Sequence, residues 1–324
     1  MFWFMVLLGS TYVLLKTLVR ITASLVFTEF IVAFILMGVI FSLPQLSVGV
    51  YSALEQSTSL ALGSVIGSNI VDLTLIIGVI VLLTRGIKVE SEEIISNAAY
   101  MYALVILPMA LMLIDLPLTG KATLSQFDGC ILILAFFLYV LKQMRVTKEY
   151  VREFVCDVST TEFITNVIVV LLGLPLLFIS AYFVVDHGVL LSAELLLPLM
   201  LIGLFMVSFG TSLPKLNIES RLVLTGHKEM ALAGLIGSVV TNSTLVLGLT
   251  ALIYPIQPAG SDFFLFLTSG FFMLIAAFLF LMFIDSEKSI SWQEALSLIF
   301  LYISFVIVEF IIESLQHSAL YLRI

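Results

Sequence analysis

Pro44 and Pro214 each interrupt a long apolar run, and each is followed in the next run by a Gly-Ser pair, Gly67-Ser68 and Gly237-Ser238. Inside a helix a proline removes one backbone donor and clashes with the carbonyl one turn back, whereas a glycine lets two backbones approach closely. Carbonyls freed in this way, together with serine hydroxyls, are oxygen ligands of the kind that hold hard cations. Asp72, Lys215 and Glu219 fall in the same runs. Ionisable groups at membrane depth mark ion paths by default. The structural alternative for Asp72 is a hydrogen bond from a protonated carboxyl, and for Lys215 it is snorkelling through water admitted at the proline. Glu219 lies one turn after Lys215 on the same face, where a local ion pair competes with a role as a relocated cation ligand. Proline and glycine alone are common in membrane helices for packing. The same pair at matched positions in both halves favours a site.

The runs themselves are membrane spans. The chain has 324 residues, 61% hydrophobic and 11% charged, and a water-soluble fold could not hide so much apolar surface. Crossing a bilayer takes roughly 20 apolar residues. Ten such runs follow one another, at 2–18, 30–53, 57–83, 95–116, 124–141, 163–185, 195–222, 230–254, 263–284 and 295–312. The first lacks the basic opening of a signal peptide, with Lys16 and Arg20 coming after it, and reads as a retained span. Residues 142–162 are the most polar stretch and divide the chain into 1–141, a linker 142–162, and 163–324.

Loops after odd-numbered spans collect Lys16, Arg20, Arg85, Lys88, Lys142, Arg145, Lys148, Arg152, Lys228 and Lys288, against Lys121 and Arg323 on the other side. That asymmetry predicts a cytoplasmic central loop and both termini outside. The two halves repeat at an offset of 170 residues: 42–79 and 212–249 share Ser42/Ser212, Pro44/Pro214, Leu46/Leu216, Gly67/Gly237, Ser68/Ser238, Thr74/Thr244 and Gly78/Gly248. Five spans per half is an odd number, so the second half enters the bilayer from the opposite side. The predicted fold is an all-α polytopic membrane protein of ten helices in two inverted-topology five-helix repeats.

Other classes are excluded. The net charge of −8 and the apolar composition leave nucleic acid out as a partner. Cys130 and Cys156 suggest neither a disulfide framework nor a metal site, and His187, His227 and His317 are scattered at helix ends. The sequence carries no HExxH, GxSxG, Walker or zinc pattern, so it reads as no enzyme, with no cofactor.

The stretches GTSLPKL at 210–216 and GSNIVD at 67–72 resemble the paired repeats of the cation/calcium antiporter superfamily, which includes the sodium/calcium exchangers. The resemblance implies a cation site at the bilayer midplane between the second, third, seventh and eighth spans, with the first and sixth sliding to give alternating access. Position by position it implies a coordinating set of Gly38, Ser42, Gln45, Ser68 and Asp72 with Ser208, Thr211, Ser212, Lys215, Ser238 and Asn242, and Asp72 as the residue placed to touch a metal cation. The glutamate that usually follows each mid-helix proline in this family is here Gln45 in one half and Lys215 in the other.

The resemblance therefore implies a secondary active cation antiporter of the sodium/calcium exchanger type with altered ion selectivity, its cargo Na⁺, Ca²⁺ or H⁺ and its setting the lipid bilayer. The alternative is a transport-inactive homologue with a regulatory or structural membrane role. Gln45, Asp72, Lys215 and Asn242 sum to about zero charge, and a lysine charge about 5 Å from a divalent ion opposes it by roughly 6–7 kcal/mol at an effective dielectric near 20. An ammonium paired with Asp72 or Glu219 would act as a built-in cation. Burial disfavours that charge, so an incoming ion would displace its proton and couple transport to H⁺. For the topology, single cysteines replacing Lys148 and Lys121, in a background lacking Cys130 and Cys156, are expected to label only from the cytoplasmic and only from the outer side, respectively. Equal labelling of both from one side contradicts the predicted crossing pattern.

Overall fold

The computed structural model describes residues 2–24, 31–114, 116–146, 160–258 and 260–321. Ten long helices follow in chain order among the described residues. They are α1 (Phe2–Ser24), α2 (Phe34–Leu54), α3 (Thr58–Leu83), α4 (Glu92–Ile114), α5 (Gln126–Val146), α6 (Thr160–Leu195), α7 (Leu199–Leu224), α8 (Lys228–Ile253), α9 (Ser261–Glu287) and α10 (Trp292–Tyr321). Nine of them are long and apolar enough to cross a membrane. The apolar stretch Phe2–Leu18 of α1 is shorter than the other nine. Lys148, Arg152 and Cys156 of the central linker, and Arg323, lie outside the described residues.

Helix ends follow local chemistry more than hydropathy. Ser125 and Asp128 bond each other's backbone N–H at the start of α5 (3.2 and 2.8 Å), and Ser291 and Glu294 do the same before α10 (3.3 and 2.7 Å). Both are reciprocal caps that satisfy the first exposed donors. The sixth run, expected to end at 185, continues as helix to Leu195 because nothing in 186–195 breaks it. It stops where Leu196 takes a left-handed backbone (φ 55°), two residues before Pro198.

The loops sort into two groups. Two-residue strands β1 (Ile87–Lys88) and β2 (Ser289–Ile290) pair antiparallel, tying the loop after α3 to the loop after α9. Glu229, at the start of α8, accepts the backbone N–H groups of Glu90 and Ser91 in the same cluster. Leu124 bridges Ile256, and Thr58 donates to the Pro255 carbonyl, so the connections after α2, α4 and α8 gather together. These pairings join loops that the alternating crossing pattern assigns to one side.

The repeat is visible in the helices. π-helical turns occupy Asp72–Ile76 in α3 and Asn242–Val246 in α8, and the α-helical segments Gly38–Leu54 and Ser208–Leu224 also begin and end 170 residues apart. Thr74 and Thr244 each donate to the carbonyl four residues back, Ile70 and Val240, just ahead of those turns. Pro44 and Pro214 do not break their helices, which continue through them. The interruptions that matter are the π-turns, where the hydrogen-bond ladder skips a residue, a feature common at functional sites.

α3 and α8 are the most enclosed helices, 83% and 78% buried against 22% for α6 and α10. Glycine makes that enclosure possible. A methyl at Gly67 would stand 2.3 Å from the Leu204 carbonyl oxygen, and one at Gly237 would stand 2.2 Å from that of Phe34, again 170 residues apart. Backbone cannot yield as a side chain can. Gly67→Ala and Gly237→Ala are each expected to lower unfolding free energy in detergent by about 1–3 kcal/mol. Gly9→Ala, with nothing within 4 Å, is expected to cause no loss. Equal melting temperatures for all three variants would contradict the close crossing.

Candidate functional site

The glycine crossings bring α2, α3, α7 and α8 together so that their polar residues meet in the interior. Ser68 follows Gly67, Asp72 opens the π-turn of α3, and Ser212 and Lys215 flank Pro214 on α7. Lys215 Nζ lies 2.9 Å from Asp72 Oδ2, and both side chains are fully buried. The ammonium also donates to Ser68 Oγ and Ser238 Oγ, each at 3.1 Å. All three of its donors are therefore used.

Asp72 is satisfied from the other side as well. Ser212 Oγ donates to Oδ1 and Ser238 Oγ to Oδ2, both at 3.3 Å. Gln45 Nε2 donates to Ser68 Oγ and to Thr211 Oγ1, both at 2.9 Å, and Ser68 and Ser212 hydroxyls stand 3.3 Å apart. A directed chain results, from Gln45 through Ser68 and Ser212 to the carboxylate. Ser42 donates to the Ser238 carbonyl at 3.2 Å, linking α2 to α8. Such a network strengthens each bond by polarising the next, and it compensates a desolvation that neither charge could bear alone.

Seven of the sequence-derived residues, Gln45, Ser68, Asp72, Thr211, Ser212, Lys215 and Ser238, thus form one cluster, with Ser42 at its edge. Asn242 belongs to a neighbouring one: its Nδ2 donates to Asn69 Oδ1 at 3.1 Å, and Asn69 Nδ2 donates to Ser243 Oγ at 2.9 Å. Sequence reasoning passes over Asn69, although it stands between Ser68 and Asp72 in GSNIVD. Gly38 packs on the Gly237 backbone, and the Ser208 hydroxyl is turned to its own helix at Leu204, so neither reaches the ion pair by a hydrogen bond. Two acceptors, Gln45 Oε1 and Asn242 Oδ1, are buried without a hydrogen-bond partner.

Glu219 needs a correction. The expected local pair within α7 does not form, because the lysine stem turns across to α3 and its ammonium reaches Asp72. Both Glu219 oxygens are buried with no hydrogen-bond partner. Among the described residues no three His, Cys, Asp or Glu side chains come together as a metal site. The Lys215 ammonium stands directly on Asp72. Cys130 is an exposed free thiol, and His187 bonds the Phe183 carbonyl within its own helix, as interfacial residues do.

Nine long apolar helices among the described residues, with a buried ion pair between them, define a multi-pass integral membrane protein. The chain belongs to the sodium/calcium exchanger protein family, which it matches over residues 1–145 and 165–311, and that family consists of transporters, not enzymes. It is 25% identical to the sodium/calcium exchanger MaX1 of Methanosarcina acetivorans over 94% of this chain and 95% of that one. It is 29% identical to the inner membrane protein YrbG of Escherichia coli over 66% of each. The fold is shared with the H⁺/Ca²⁺ exchanger CAX (TM-score 0.74, 16% identity, 97% of this chain and 83% of that one). It is also shared with the sodium-calcium exchanger NCX_Mj (TM-score 0.65, 20% identity, 94% and 96%).

Proposed function

We propose that this protein is a secondary active cation antiporter in which the Lys215 ammonium occupies the cargo position whenever no ion is bound. The observation that carries this reading is the ammonium itself, ringed by Asp72, Ser68 and Ser238 at 2.9–3.1 Å, residues that the resemblance implies for the ion site. Relatives named as sodium/calcium and H⁺/Ca²⁺ exchangers support a cation as cargo. The 170-residue register of helices and π-turns, and the sorting of loops into two groups, support ten spans in two inverted halves working by alternating access.

Charge decides how the site operates. While the ammonium rests on Asp72, a divalent ion about 5 Å away is opposed by roughly 6–7 kcal/mol, and a monovalent ion by about half as much. Cation entry therefore requires the positive charge to leave Asp72. Release of one proton as the cation replaces the ammonium on Asp72 makes the transport proton-coupled and shifts selectivity away from the tight Ca²⁺ binding of a site with several carboxylates. A second reading has its own support, because three satisfied donors and a fully bonded carboxylate also describe a lock. In that case the protein is a transport-inactive homologue.

Purified protein in proteoliposomes separates the two. The antiporter reading expects Na⁺ or Ca²⁺ uptake driven by an opposing pH gradient, abolished by Asp72→Asn. Lys215→Glu is expected to raise apparent Na⁺ or Ca²⁺ affinity by roughly tenfold or more and to flatten the pH dependence. No movement of Na⁺, Ca²⁺, K⁺ or H⁺ under any gradient would establish the inactive homologue. Lys215→Glu with unchanged selectivity and pH dependence would remove Lys215 from the account.

A further inference from the structure

Glu219 is a fully buried carboxyl whose two oxygens meet no donor, a costly arrangement unless the group serves something. It sits against the open face of Gly234 on α8. A methyl there would lie 3.0 Å from Glu219 Oε1, 3.2 Å from Phe41 and 3.4 Å from Met37, both on the α2 side. These neighbours offer the carboxyl no hydrogen-bond donor, and an unpaired charge is costly there.

The repeat shows that Glu219 has no carboxyl counterpart in the first half. At the 170-residue offset its counterpart is Gly49, and the counterpart of Lys215 is Gln45. Lysine and glutamate thus occur together, in one half only, four residues apart on one face of α7. Gly234 has Ser64 as its counterpart, so the half that carries the glutamate also has the smaller residue beside it.

We propose that Glu219 is the second seat of the Lys215 ammonium, taken up when a transported cation occupies Asp72. The lysine stem reaches Asp72 across to α3 and is tethered one turn from Glu219 on α7, and side chains four apart have Cβ atoms about 5–6 Å from each other, within its swing. As the ammonium arrives, the Glu219 O–H bond breaks, its electron pair stays on the carboxylate, and the proton passes to water in the open pathway. The cation enters Asp72, the ammonium pairs with Glu219, and one H⁺ leaves. The net charge of the site changes by the cargo's charge minus one, so a monovalent cation exchanges electroneutrally. The charged groups acting on Glu219 are Asp72 from α3 and Lys215 from its own helix, while α2 and α8 offer it Met37, Phe41 and Gly234.

The proposal rests on the antiporter reading for its cycle but not for its seat. Asp72→Asn vacates the first seat with no cation present, and a structure of that variant is expected to show Lys215 Nζ bonded to a Glu219 oxygen. Nζ remaining between Ser68 and Ser238 would overturn the proposal. In lightly buffered detergent solution, Na⁺ or Ca²⁺ added to the unmodified protein is expected to release protons, read with a pH dye. Glu219→Gln is expected to melt no lower, to release none, and to bind the cation at least tenfold more weakly. Adding Lys215→Gln to that variant is expected to recover binding without recovering release. Proton release by Glu219→Gln equal to that of the unmodified protein would also overturn it, whereas an absence of flux in the unmodified protein would remove the antiporter reading alone.

Discussion

A lysine and an aspartate buried side by side in the interior of a membrane protein impose conditions on everything around them. Each charge alone would be expelled or neutralised there, and the pair is tolerated only if its remaining hydrogen-bonding capacity is met. Lys215 and Asp72 meet that condition with hydroxyls from three helices. The hydroxyls reach because Gly67 and Gly237 let backbones cross without side chains between them. The π-turns that begin at Asp72 and Asn242 rotate those residues relative to the helix before them. Removal of either charge leaves the rest of the cluster arranged around a group that is gone.

Much of this was legible in the sequence because glycine, proline and charge are rare in lipid and so stand out. The 170-residue offset matches Ser42 with Ser212 and Ser68 with Ser238, and in the fold these serines meet crosswise, Ser42 with Ser238 and Ser68 with Ser212. The partner of Lys215 was not decidable. Asp72 and Glu219 were both within its reach, and the choice depends on how α3 crosses α7, which hydropathy does not encode. The π-turns were illegible as well, since nothing in Asp72–Ile76 distinguishes them from ordinary helix. The expectation that Pro44 and Pro214 break their helices failed, because both helices run through them without interruption. Asn69 was readable in principle. A polar residue between two others in an apolar run should have been counted, and it binds Asn242 away from the ion pair.

The two halves of the repeat have diverged where it matters most. One half retains the carboxylate and a neutral amide, Asp72 and Gln45, and the other carries Lys215 and Glu219 with Asn242. A site of several carboxylates attracts a multivalent cation outright. The Lys215–Asp72 cluster carries one charge of each sign, and in the proposed cycle attraction arises by moving a charge already inside it. Family membership fixes the scaffold and the class of protein, and the local charges set how that scaffold is used.

The central claim is that Lys215 and Asp72 hold each other as charges, and a double-mutant cycle measures that coupling directly. The cycle is best run by chemical unfolding in detergent on the Glu219→Gln background, which denies the ammonium any second seat. Asp72→Asn and Lys215→Gln are each expected to lose roughly 3–5 kcal/mol, and the double variant far less than their sum. Additive losses, with no coupling between the two positions, would contradict the account.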